Sequence, residues 1–271
     1  MSELIIANIV VLSLIALAAA LVLYFAAQKF KVAGNPQANC GACGKAGCQD
    51  FANACVNADA EAFAHLYCPV GGSKVMNEVA KRLGYSTPEH EPTVAVLHCN
   101  GTCENAPDKV EYIGLQSCRL ANRAFVGKTG CPNGCLRLGD CVRNCPFGAI
   151  EMDDQTGLPR VNPDKCTSCG ACVRICPRGL YEIRPRGKNG VMVYVACSNK
   201  QKGATARKNC KAACIACMKC TKICPEVTVE ENLSRIPPSV SAKLYGAELA
   251  AGCPTGAIVY TGAKGDKNEQ N

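Results

Sequence analysis

The residues in this chain best suited to chemistry are its cysteines, 23 among 271 residues. Many recur at two-residue intervals, as in Cys40/Cys43, Cys166/Cys169/Cys172 and Cys214/Cys217/Cys220. Thiols this close in sequence bridge one another poorly but suit joint ligation of a metal centre. Disulfide scaffolds, by contrast, are usually short and secreted. Metals are therefore the expected cross-link, and a reducing compartment the expected setting. With no Trp, only 5% aromatic residues and 23 cysteines, a large aliphatic core is not expected to hold the whole chain together.

The run CTSCGACVRICP, Cys166 to Pro177, matches the ferredoxin half-site C-x2-C-x2-C-x3-C-P. Three close cysteines of such a run hold one [4Fe–4S] cluster, and the cysteine before proline reaches across to its neighbour. The preceding run, CPNGCLRLGDCVRNCPFGAI from Cys131 to Ile150, carries Leu138 where a second cysteine should stand. Cys131, four residues upstream of Cys135, is expected to fold back and fill that corner. Cys131, Cys135, Cys141 and Cys176 would then hold one cluster, and Cys145, Cys166, Cys169 and Cys172 the other. The competing reading is a three-iron site with Cys131 free.

Two further sets fit the same chemistry. Cys40, Cys43 and Cys48, followed by Cys68-Pro69, supply four thiolates, for which a four-thiolate zinc site is the alternative. Cys55, on the same helical stretch, reads as a packed thiol. CIACMKCTKICP, Cys214 to Pro225, is a sound half-site, but its mate has Lys243, Gly246 and Leu249 where three cysteines are expected before Cys253. One cluster on Cys214, Cys217, Cys220 and Cys253 can survive, which strands Cys224. Cys99, Cys103 and Cys118 lie near one another in sequence and suggest a further centre whose fourth ligand is not named by spacing. At least three [4Fe–4S] clusters are expected, with four or more favoured.

Other chemistry is excluded or weak. NRAFVGKTG has Asn122 where a phosphate loop needs its first glycine, and no G-x-G-x-x-G follows a strand. His65, His90 and His98 share no spacing, and no nucleophile–base pair stands out. The formal net charge of +8 counts every thiol as neutral. Thiolate-bound clusters would cancel most of it, so nucleic-acid binding is not expected. Arg and Lys are read instead as compensation for buried cluster charge and as a rim for an acidic protein partner.

The elements that must position these thiols follow from periodicity. Leu4 to Ala27 carries no charge over 24 residues. As a helix it would extend roughly 36 Å, enough to cross a bilayer. Glu3 precedes it, and Lys29 and Lys31 follow, which predicts the bulk of the chain on the cytoplasmic side. Gln49 to Leu66 has helical spacing. TVAVLHC, ending at Cys99, and GVMVYVAC, ending at Cys197, are strand-like runs that open an internal repeat. Each leads to C-x3-C, at Cys131/Cys135 and Cys210/Cys214. The predicted class is α+β: a transmembrane anchor (1–30), a small Cys-rich [4Fe–4S] domain (31–85) and a linker (86–92). A ferredoxin-like domain with two clusters (93–190) and a second, partly degenerate one (191–262) follow, then a disordered tail (263–271). The tandem modules are expected to be of βαβ type with little regular structure.

The apolar N-terminal run, NCGACGKAGC with its later CP, and GCLRLGDCVRNCPFGAI followed by CTSCGACVRICP together resemble the B component of the Rnf complex. That complex is an ion-translocating ferredoxin:NAD+ oxidoreductase. The resemblance reaches to about Gly262 and implies an electron-relay subunit of the inner membrane. Such a subunit accepts electrons from reduced ferredoxin and passes them to membrane subunits, coupled to Na+ or H+ transport. Cys131 in place of a cysteine at 138 is similar to the pattern of longer forms of this component. Two departures stand out: NPQAN, where members often show Pro-Gly, and the cysteines missing at 243, 246 and 249. The first unit also resembles one in corrinoid iron–sulfur proteins. The alternative function is therefore an anchored iron–sulfur donor or activator for a separate enzyme.

Overall fold

Two stretches of the chain, Thr93–Pro185 and Val193–Tyr260, run through the same order of elements. The computed structural model describes residues 38–87, 90–187 and 190–262. The anchor expected over 1–30 and the tail expected over 263–271 lie outside the described residues. Among the described residues, no helix is long and apolar enough to cross a membrane.

The first unit is helical. The stretch expected as one helix is two, α1 (Cys48–Asn57) and α2 (Ala60–Ala64), followed by α3 (Gly72–Leu83). The break falls where Ala58 is extended and the Asp59 carboxylate accepts the Ala62 N–H, a capping bond that starts a new helix. Gly84, at φ 76°, ends α3 in the left-handed conformation that glycine tolerates best. Phe51, Cys55, Phe63, Met76 and Ala80 are the buried core here. Cys55 is thus a packed thiol, 1% exposed.

The first ferredoxin-like module contains β1 (Thr93–Leu97), α4 (Cys118–Ala124), α5 (Asp140–Arg143), β2 (Ile150–Asp153), β3 (Leu158–Val161), α6 (Ala171–Ile175) and β4 (Tyr181–Pro185). The second repeats that order as β5 (Val193–Val195), α7 (Gly203–Asn209), α8 (Lys219–Ile223), β6 (Thr228–Glu230), β7 (Leu233–Arg235), α9 (Ala242–Gly252) and β8 (Ile258–Tyr260). In each module the first and last strands pair, β1 with β4 and β5 with β8, and the middle two form a hairpin, β2–β3 and β6–β7. The pattern is β-α-α-β-β-α-β with all these pairs antiparallel. The strands are short because the loops between them must turn inward to present thiols.

Polar side chains stitch the modules together. His98 spans Glu182 and the Val195 carbonyl, each at 2.7 Å. Arg184, 4% exposed, donates to the carbonyls of Val193 and Ile236. A buried guanidinium must find such acceptors, since an unpaired one would be costly. The backbone N–H of Asn100 donates to Ala196 O at 2.8 Å, and the Ser198 hydroxyl to His98 O at 2.9 Å.

Candidate metal centres

The loops that carry the cysteines share one backbone shape. Two and four residues after Cys135, Cys166 and Cys214 the chain is left-handed: Arg137 and Gly139 (φ 59° and 75°), Ser168 and Gly170 (56° and 70°), Ala216 and Met218 (54° and 59°). Non-glycine residues adopt that conformation uncommonly, so its recurrence marks a constrained loop. Leu138 occupies the position that Cys169 and Cys217 hold in the other two loops. It is 5% exposed and packs with Ala121 and Leu136, with Cys118 alongside.

Four hollows are each walled by at least four cysteines. One is lined by Cys40, Cys43, Cys48 and Cys68. The Asn39 side chain accepts the Cys48 N–H at 2.9 Å and so starts α1 there, and Gly71 N–H reaches Cys68 Sγ at 3.3 Å. A second is lined by Cys214, Cys217, Cys220 and Cys253. Ser234 bonds there twice, its N–H to Cys214 Sγ at 3.4 Å and its hydroxyl to Cys220 Sγ at 3.2 Å.

The third hollow is lined by Cys118, Cys135, Cys141 and Cys176. Cys131 does not line it, although its spacing predicts it in the corner left by Leu138. The thiol in that corner is Cys118, the first residue of α4. Ser117 caps α4 by accepting the Leu120 N–H, and Asp140 accepts from the Ser117 hydroxyl (3.2 Å) and the Arg119 N–H (3.0 Å). Burial alone would raise the Asp140 carboxyl. These donors, with the Cys118 N–H and Arg143, outweigh it and hold it below the usual carboxylate range. An insertion folded over Leu138 thus delivers Cys118. The Tyr181 hydroxyl donates to Cys141 Sγ at 3.4 Å.

Cys131 lines the fourth hollow, with Cys99, Cys197 and Cys210, and Cys135 at its edge toward the third. Cys103, a sequence neighbour of Cys99 and Cys118 and an expected partner of both, lies apart from these hollows, exposed, with Arg137 Nη1 at 3.7 Å. The remaining expected set, Cys145, Cys166, Cys169 and Cys172, gathers between α5 and α6. Cys172 is buried with Cys145 and Cys166 packed nearby, and Ala149 N–H donates to Cys145 Sγ at 3.3 Å.

Burial pushes eight of these thiols up. Cys172 and Cys197 are each raised to about 12, and Cys68, Cys131, Cys135, Cys141, Cys210 and Cys214 are also raised, neighbouring thiols adding to the effect. Cys253 differs. Burial raises it too, but N–H groups of Thr255, Ile258 and Ala257 outweigh that and leave it below the ordinary thiol value. Grouped buried thiolates need a cationic core among them, which would hold them deprotonated. Among the described residues no three Cys, His, Asp or Glu side chains converge to hold a single ion. Zinc would need its donors within about 2.3 Å of one centre. Thiols spread around a hollow, with backbone N–H groups aimed at the sulfurs, fit the several irons of a [4Fe–4S] cluster instead.

Two arginines sit between sites. Arg174 donates to Cys169 O and to Cys40 O, both at 3.1 Å, and so joins the first unit to the Cys145/Cys172 group. Arg178 donates to Cys131 O and Gly134 O, beside the third and fourth hollows. Burial lowers its guanidinium pKa, against which the thiols of Cys131, Cys135, Cys176 and Cys99 pull upward.

Three family models match the chain: a 4Fe-4S dicluster domain over residues 129–180, a 4Fe-4S binding domain over 211–230 and an Fe-S cluster model over 36–63. Several [4Fe–4S] clusters are therefore the cofactors. The B component of the proton-translocating ferredoxin:NAD(+) oxidoreductase complex of Clostridium ljungdahlii is 38% identical over 92% of this chain and 90% of its own. The Na(+)-translocating counterpart of Acetobacterium woodii is 38% identical over 82% of this chain and 65% of its own. The B component of an ion-translocating oxidoreductase complex of Methanosarcina acetivorans is 35% identical over 95% and 99%. Cysteine-walled sites in the order expected, and likeness over nearly the full length of two of these relatives, lead to one assignment: the chain belongs to the family of B components of the ion-translocating ferredoxin:NAD+ oxidoreductase, or Rnf, complexes.

Proposed function

We propose that this chain takes electrons from reduced ferredoxin on the cytoplasmic side and relays them to the membrane subunits of its ion-translocating complex. Bound [4Fe–4S] clusters supply the one-electron chemistry. The protein's share is to hold them, shield them from water and tune them. In this reading Cys40, Cys43, Cys48 and Cys68 hold one cluster, and Cys145, Cys166, Cys169 and Cys172 another. Cys214, Cys217, Cys220 and Cys253 hold a third. Cys118, Cys135, Cys141 and Cys176 hold a fourth, with Cys118 in the role that spacing predicts for Cys131.

The observation that carries the relay reading is the interlock of neighbouring sites. Cys176 lines the hollow of the other loop's Cys135 and Cys141, and Cys145 packs in one small core with Cys141, Cys166 and Cys172. Arg174 extends the line to the first unit. Backbone N–H groups and the hydroxyls of Tyr181 and Ser234 reach the sulfurs and would favour the reduced, more negative state.

The test is anaerobic mixing of the purified complex with reduced ferredoxin, followed by cluster absorbance. Bleaching that requires this subunit is expected; unchanged absorbance overturns the reading. Recovery from membranes without integral membrane subunits would favour the alternative, an anchored donor to a separate enzyme.

A further inference from the structure

The fourth hollow belongs to none of the four sets above, yet it repeats their construction. Its thiols come in two pairs from the two modules. Cys99 stands two residues beyond β1 and Cys197 two residues beyond β5. Cys131 and Cys210 each stand four residues before the first cysteine of a ferredoxin loop, Cys135 and Cys214. The bonding is paired in the same way. Cys135 N–H donates to Cys99 Sγ and Cys214 N–H to Cys197 Sγ, both at 3.4 Å. Asn199, 1% exposed, donates its side-chain amide to Cys131 Sγ across the module boundary at 3.5 Å, and its backbone N–H to Cys197 Sγ at 3.5 Å. A Cβ on Gly101 would lie 3.4 Å from Cys99 Sγ and 3.9 Å from Cys210 Sγ, so glycine leaves room between those two thiols.

We infer that Cys99, Cys131, Cys197 and Cys210 hold a fifth [4Fe–4S] cluster on the seam between the two ferredoxin-like modules. Cys135 also borders this hollow, but its counterpart Cys214 serves the second module's own site, and Cys135 lines the corresponding site of the first. That leaves four thiols for the seam, the number a cubane takes. Cys99, Cys131, Cys197 and Cys210 all line this one hollow, so the four thiols meet in one place. Arg178 supplies positive charge at its edge.

The placement has a consequence for the line of sites. The seam touches the Cys118/Cys135/Cys141/Cys176 site through the Cys135 N–H and the Cys214/Cys217/Cys220/Cys253 site through the Cys214 N–H. Without it, among the described residues, the second module's cluster has no bonded link of this kind to the first module's. The fifth site rests on the chain being a [4Fe–4S] carrier but not on ferredoxin being its donor.

The decisive measurement is iron and acid-labile sulfide per full-length chain, purified anaerobically in detergent and fully loaded. About 20 irons are expected for five cubanes, against about 16 for four. Full loading at about 16, confirmed by spin integration of the reduced protein, overturns the fifth site and leaves the relay reading standing; an iron-free, zinc-loaded chain sinks both. Cys197→Ala with Cys210→Ala should remove about four irons and four sulfides. Cys103→Ala and Cys55→Ala should remove none. Unchanged iron in the double variant overturns the assignment, and because the wild-type count stands by itself, misfolding of that variant does not shield it.

Discussion

The two ferredoxin-like modules share element order, sheet pairing and loop conformation, yet they solve one packing problem differently. In the first, the region before α6 is a cysteine loop, and the module is built around two sites. In the second, the corresponding α9 is an 11-residue helix. Leu249, 0% exposed, and Cys224, also 0%, fill its core. The buried core of the second module has twelve members against five around Cys141 and Cys172 in the first. Apolar burial and cluster ligation thus stand in for each other: a helix with no cysteines can replace a cluster if it brings enough hydrocarbon.

The largest effect expected from this contrast is on removal of iron. Metal-coupled folding predicts that anaerobic chelation unfolds the metal-dependent region first. Hydrogen exchange should show protection lost over 93–187 while part of 190–262, held by its apolar core, keeps some. Equal collapse of both would erase the contrast.

Next in size is Cys118→Ala, which should remove about four irons. If the loop has kept its cluster-binding shape around Leu138, adding Leu138→Cys to that variant should restore them. Failure to recover iron would show that the left-handed turns at Arg137 and Gly139 do not suffice. Leu249→Ala tests the other module. It should cost about 2–5 kcal/mol of stability in anaerobic denaturation with iron unchanged. Loss of iron there would mean that α9 supports the site rather than replacing one.

The smallest effect is on potential. Tyr181→Phe in the first module and Ser234→Ala in the second each remove a hydroxyl from an equivalent cysteine, Cys141 or Cys220. A hydrogen bond of roughly 0.5–1.5 kcal/mol corresponds to roughly 20–60 mV for one electron, so each cluster should titrate lower by about that much. A shift in only one module would show that the two hydroxyls are not equivalent.

Much of this can be read without coordinates. The grouping of Cys40 with Cys43 and Cys48, of Cys166 with Cys169 and Cys172, and of Cys214 with Cys217 and Cys220 follows from short spacings, because a tight loop delivers close cysteines to one point. Cys118 cannot be read this way. It lies 17 residues before Cys135, and nothing in that interval announces that α4 folds back over Leu138 and is pinned by Asp140. Proximity in sequence points to Cys131, and it misleads when a nearer corner is filled from farther off. The repeat of strand, cysteine and C-x3-C is visible in the residue order, but its meaning is not: the spare thiols of both copies meet at one seam.

From the residue order alone came the metal, the cluster type, the family and the expectation that each half-site loop works with a returning CP cysteine. Those depend on local geometry, which a short stretch of chain determines for itself. Tertiary structure decided which distant thiols meet, namely Cys118 with Cys176, and Cys99 and Cys131 with Cys197 and Cys210. Closing such long loops costs entropy that only the packing of whole modules against each other can offset, so the pairing is a property of the fold and not of any one motif.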